Sequence, residues 1–106
     1  MQKHINRIIL IDGPQGSGKT SYLHGVQEGA MIVKRKAQWI NPLNLPGETI
    51  GAIDMAIDSG AEVIMIDNCP QETADAIVDH FDSEIHKHSE VIVYIALANA
   101  PIGEQA

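Results

Sequence analysis

Apolar positions fall in short continuous runs separated by longer periodic stretches. Ile8-Ile9-Leu10-Ile11 is such a run and stops at Asp12-Gly13-Pro14. Unbroken apolarity over four residues suits a strand covered on both faces, as in a parallel sheet. Residues 18–28 can form a helix with Leu23 and Val26 inward, and Gly29 stands where a helix would end. Ala30-Met31-Ile32-Val33 reads as a second strand, followed by an irregular stretch, 35–47, that holds Trp39, Pro42, Pro46 and Gly47.

A second helix is expected over about 48–58, with Ile50, Ile53 and Ile57 on one face and Asp54 and Asp58 on the other. Ser59-Gly60 ends it, and Val63-Ile64-Met65-Ile66 forms a third strand that ends at Asp67. Pro70 suits the first position of a third helix. Its stripe runs Ala74, Ile77, Val78, Phe81 and Ile85, while Glu72, Asp75, Asp79, Asp82 and Glu84 lie off it. The fourth strand is expected over 91–97, followed by a tail from 99 to 106. Strands alternate with helices throughout. The expected fold is a three-layer α/β/α sandwich around a small, mostly parallel four-stranded sheet. No internal repeat, linker or low-complexity segment interrupts it.

Composition narrows this picture without changing it. The length, 106 residues, fits one domain spanning 1–106. At 44% apolar with 4% aromatic residues, the core must be built mostly from Ile, Val, Ala, Leu and Met. A formal charge of −7 argues against a protein that coats nucleic acid, which needs many exposed cations. Lys34, Arg35 and Lys36 are three of only seven basic residues, while acidic residues crowd into 48–90. A single cysteine, Cys69, cannot form an internal disulfide and points to a reducing compartment. The N-terminal apolar run is too short for a signal-peptide core, and no run is long enough to span a bilayer. A soluble cytoplasmic chain with no membrane attachment is the expectation.

The chemistry concentrates in Gly13-Pro14-Gln15-Gly16-Ser17-Gly18-Lys19-Thr20, which matches G-x-x-x-x-G-K-[ST] without a mismatch. Glycines let the backbone turn tightly and bring N–H groups close to phosphate oxygens. The helix that follows points its positive end at the same anion. Lys19 is suited to neutralise the β- and γ-phosphates, and the Thr20 hydroxyl to ligate Mg²⁺. The nucleotide-contacting stretch is therefore Gly13, Pro14, Gln15, Gly16, Ser17, Gly18, Lys19, Thr20 and Ser21. Asp67, at the end of an apolar strand, places a carboxylate where it can hold a Mg²⁺-bound water.

These residues resemble the P-loop NTPase superfamily. Gly13 to Thr20 is similar to Walker A, and Val63-Ile64-Met65-Ile66-Asp67 to Walker B. The resemblance covers the chain as a minimal core and implies ATP, or less readily GTP, with Mg²⁺. The last strand leads into Ala98-Asn99, and Asn99 resembles the polar sensor residue of the AAA+-like, additional-strand ATPases. In that group the sensor strand lies between the Walker A and Walker B strands. The resemblance implies catalytic roles for Lys19, Asp67, Asn68 and Asn99, and a small ATPase or ATP-driven switch acting with a partner or as an oligomer. Asn99 starting a turn before Pro101 is the plainer alternative.

The sequence departs from the group in two places. A Glu that activates water usually follows the Walker B Asp, but here the position is Asn68, which can orient water and cannot take its proton. Glu72, one turn into the next helix, could substitute or simply complement the helix dipole. The fifth strand and helical lid of AAA+ proteins are not found after the fourth strand. The strand at 8–11 would then be an apolar sheet edge, where self-association or a protein partner is expected.

Other candidates read more plainly. Arg35 could reach a neighbouring subunit's phosphate as an arginine finger, or belong to a solvated basic turn. Lys34, Arg35, Lys36 and Trp39 are the only residues suited to grip a nucleic-acid strand. His80, His86 and His88 lack a third ligand at suitable spacing for a metal. Cys69 reads as a small buried residue rather than a nucleophile. Ile11-Asp12-Gly13-Pro14 also resembles the opening of some nucleoside-monophosphate kinases, but residues 68–106 contain no Arg to hold a transferred phosphoryl group. A kinase-like phosphotransferase and a non-hydrolysing nucleotide-binding module are the alternatives to the ATPase.

Overall fold

The computed structural model describes residues 5–13, 18–42 and 45–98. Four strands, β1 (Arg7–Ile11), β2 (Ala37–Ile40), β3 (Val63–Cys69) and β4 (Ile92–Leu97), form one sheet in the order β1-β4-β3-β2. Every neighbouring pair is parallel. The helices are α1 (Lys19–Ile32), α2 (Pro46–Asp58) and α3 (Gln71–Phe81), with a 3₁₀ turn at Asp82–Glu84. Among these helices none is long and apolar enough to cross a membrane.

The two faces of the sheet are covered differently. Ile64, Ile66, Val93 and Ile95 point toward α2 and α3, where they meet Ile53, Ala56, Ala74, Ile77 and Phe81 in the larger core. Val63, Met65 and Ala96 point the other way, onto Leu23 and Ala30 of α1. This alternation is the period-two geometry of a strand buried on both sides. It explains why β3 and β4 read as unbroken apolar runs. The result is a compact α/β domain with one helix on one face and two on the other.

The second strand lies elsewhere than the sequence pattern suggests. Residues 30–33 are not a strand. They complete α1, and Gly29 sits inside that helix rather than ending it. Met31, Ile32 and Val33 are exposed, so their apolarity marks no core. The stop comes at Lys34, whose φ of 60° is left-handed. Its N–H donates to Met31 O at 3.1 Å, and the Arg35 N–H donates to Ala30 O at 2.8 Å. That paired bonding is a Schellman cap. Glycine usually fills the left-handed position, and a lysine there hides the signal. The true β2 lies within the stretch read as irregular, with Trp39 opposite Met65 and Ile40 opposite Ile66.

Smaller shifts have local causes. The second helix starts at Pro46, with the Glu48 carboxylate accepting the Leu45 N–H at 3.3 Å. Pro70 is the cap before α3 rather than its first residue. Ala74, Ile77 and Phe81 are buried as the stripe requires. Ile85 has left the helix and bridges in parallel with Ile5 instead.

Candidate functional site

In an all-parallel sheet every strand delivers its C-terminal end to the same side. Gly13 follows β1 there, Asp67 and Asn68 close β3, and Ala98 follows β4. The first turn of α1 returns to this side with Lys19, Thr20 and Ser21. The sheet order puts β4 between β1 and β3, so the strand carrying residues toward Asn99 runs between the two that deliver Gly13 and Asp67.

The described ends of the glycine loop adopt the backbone its residue types permit. Gly13 has φ 149° and Gly18 has φ 90°, regions that disfavour a side chain. Gly18 is the N-cap of α1, with no side chain covering the helix start. Lys19 Nζ donates to Gly13 O at 2.6 Å, tying the two ends of the loop together. Asp12 Oδ1 accepts the Gly13 N–H at 2.7 Å, a carboxylate contact that the sequence pattern did not single out. Pro14, Gln15, Gly16 and Ser17 lie outside the described residues, as does Asn99.

Thr20 Oγ1 donates to Asp67 Oδ2 at 2.9 Å, across 47 residues of sequence. The other carboxylate oxygen, Oδ1, accepts the Asn68 N–H at 2.8 Å. Asn68 is exposed and left-handed, with φ 54°. The register between β3 and β4 shifts between Ile66 and Cys69, so the strand is irregular where these two polar residues sit. Beyond the irregularity the sheet resumes, with the Ala98 N–H donating to Cys69 O at 2.7 Å. A hydroxyl and a carboxylate in mutual reach are the oxygen donors that a hard divalent ion accepts, and Mg²⁺ needs only one or two of them beside phosphate oxygens and water.

A scan of the sequence against protein-family models finds no match, and neither does a search of curated proteins. The reading of this site therefore rests on its own residues.

The remaining candidates have other settings. Lys34, Arg35 and Lys36 lie at the other end of α1, a helix about 21 Å long at 1.5 Å per residue. Two of the three charges have local work: Arg35 faces Glu90 at 3.8 Å, and Lys36 Nζ donates to Ser59 O at 2.6 Å, capping α2. Trp39 is half-buried against α1, its ring 5.1 Å from that of His24, which is a packing arrangement rather than a free stacking platform. Glu72 is exposed in the first turn of α3, where it complements the helix N-terminus. The His86 and His88 rings lie 5.2 Å apart. Among the described residues no group of three or more His, Cys, Asp or Glu side chains could hold a metal ion. Cys69 is buried, with Sγ 3.5 Å from Pro70 O. Burial pushes its thiol up to about 11, the reverse of what a nucleophile needs.

Proposed function

We propose that the chain is a P-loop NTPase of the additional-strand type, which binds Mg²⁺-ATP in the stretch from Gly13 to Ser21. One observation carries the reading: Thr20, the last residue of the loop motif, bonds to Asp67 at the end of a buried strand. A glycine-rich turn arising by chance has no reason to bring its terminal hydroxyl to such a carboxylate. The position of β4 between β1 and β3 supports the additional-strand subdivision.

In this reading the loop amides and the start of α1 bind the phosphates, and Lys19 leaves Gly13 O to face the β- and γ-phosphoryl oxygens. Thr20 and Asp67 hold Mg²⁺, directly and through water. The ion supplies charge neutralisation on the phosphates. Asn68 and Asn99 orient the attacking water. Turnover is slow without a partner or a second subunit, because Asn68 cannot accept a proton at the position where a base is needed. That same residue favours, as the second reading, a module that binds ATP without hydrolysing it.

The test is calorimetric titration of ATP and GTP, with and without Mg²⁺, against the wild type and Lys19→Ala. Phosphate release is followed in parallel across protein concentrations. Micromolar, Mg²⁺-dependent ATP binding that weakens at least tenfold in Lys19→Ala supports the proposal. Equal binding by the two proteins would sink it. Retained binding with no phosphate release selects the non-hydrolysing module.

A further inference from the structure

The start of α1 has two flanks with different surroundings. Leu23 and Ala30 face the sheet, and the helix turns about 100° per residue. His24 lies on the flank toward β2, its ring 5.1 Å from that of Trp39. Thr20 stands one turn before His24 on the same flank, where it meets Asp67. Tyr22, two residues from each, falls on the opposite flank. Its ring lies 6.5 Å from that of Tyr94 on β4, tilted by 54°.

That second flank is the less covered one. α1 packs chiefly on β2, β3 and β4. Ile9 stands opposite Tyr94 in the sheet and Ile11 opposite Ala96, so both look to the side of α1. The two isoleucines are only half-buried. Tyr22, Tyr94, Ile9 and Ile11 thus border an apolar groove between α1 and the β1 edge of the sheet. Asp12 and Gly13 follow Ile11 directly, so one end of the groove opens at the glycine loop. Among the aromatic residues, Phe81 is fully buried, Trp39 and Tyr94 are half-buried, and Tyr22 is 52% exposed.

We propose that Tyr22 is the base platform of the nucleotide site, its ring stacking on the aromatic base of the bound nucleotide within this groove. The inference rests on the reading of Gly13 to Ser21 as a triphosphate loop. Two features select a base. First, in that reading the ion at Thr20 and Asp67 bridges the β- and γ-phosphoryl oxygens. The nucleoside is the other end of the ligand and leaves by the far flank of α1, where Tyr22 stands. Second, the four groove residues carry no charge, so their surface suits a neutral ring and not a further phosphate. Every base has a π-face, so a stack distinguishes a nucleotide from a bare sugar phosphate without choosing among bases.

Calorimetric titration with Mg²⁺ tests this by comparing ATP with ribose 5-triphosphate, which keeps the phosphates and the sugar and lacks the base. The wild type should bind ATP at least fivefold more tightly. Tyr22→Ala should lose about 5- to 150-fold in ATP affinity, the range for one stacked base, and hold ribose triphosphate within twofold of wild type. Tyr22→Phe should recover most of the ATP affinity. In the wild type, the ring-proton resonances of Tyr22 should move with ATP and stay in place with ribose triphosphate. A wild type that binds the two ligands equally overturns the base platform and leaves the loop reading standing. So does an equal loss for both ligands in Tyr22→Ala, an unchanged ATP affinity in that variant, or a Tyr22 ring that does not respond to bound ATP. If neither ligand binds the wild type, the loop reading falls and this inference falls with it.

Discussion

Thr20 and Asp67 are joined by a 2.9 Å hydrogen bond between the first turn of α1 and the end of β3. The bond lies near solvent, so its net worth to folding is small, about 1 kcal/mol. Its expected value is in the site. Asp67→Ala should leave thermal unfolding within a few degrees of wild type, yet lower Mg²⁺-dependent ATP affinity at least tenfold. Affinity measured without Mg²⁺ should change much less. A drop of equal size in both conditions would detach Asp67 from the metal.

Lys19 contributes a cation and, in the free protein, a 2.6 Å bond to Gly13 O. Lys19→Met keeps the length of the side chain and removes both. Its ATP affinity should fall by at least tenfold, and amide exchange at Gly13 and Gly18 should speed up in the absence of nucleotide. Unaltered exchange would mean that the lysine does not tie the loop ends in solution.

Phe81 is fully buried in the larger core, below the 3₁₀ turn at Asp82–Glu84. Phe81→Ala should cost about 3–5 kcal/mol, the range for deleting a buried aromatic ring. In a domain of this size such a loss can unfold most of the population at 37 °C. Urea denaturation monitored by circular dichroism checks it.

Lys34 pays a left-handed strain to cap α1. Lys34→Gly should stabilise by roughly 0.5–1 kcal/mol, because glycine adopts that φ freely. Thermal unfolding should move up by about 2–8 °C. A fall would show that the lysine side chain contributes more than its backbone costs.

Cys69 ionises later in the fold than in a free chain, about 11 against 9.0. The folded state then holds its proton while the unfolded state has released it. Stability must therefore fall as pH rises from 9 toward 11. Cys69→Ala should lack this component of the alkaline decline. At pH 8 the native thiol should also react with iodoacetamide far more slowly than in guanidinium.

The parts of this fold that were legible in the sequence are those where one physical signal acts alone. Val63 to Ile66 is a short apolar run bounded by turn residues and is buried on both faces of the sheet, as a central strand requires. The acid that ends this strand was expected beside the loop motif, and the fold brings Thr20 within a hydrogen bond of Asp67. The errors arose where two signals competed. Gly29 is a common helix stop, but helix length and the cap at Lys34 overrode it. Met31, Ile32 and Val33 looked like core and are surface. Ala37 to Ile40 was hidden by Gln38 and by the prolines nearby, and only pairing with β3 makes it a strand. At the site, the left-handed backbone of Asn68 left no mark in the pattern, since asparagine is common in turns of every kind.

That backbone limits what the position can become. Asparagine, aspartate and glycine tolerate φ near 54°, and longer side chains are disfavoured there. A glutamate at residue 68 would carry the kind of left-handed strain that Lys34 carries, roughly 0.5–1 kcal/mol. Aspartate would fit without strain but would set a second negative charge beside the first. Under the proposed function, a glutamate base at residue 68 would come at a conformational cost set by the shape of the strand end.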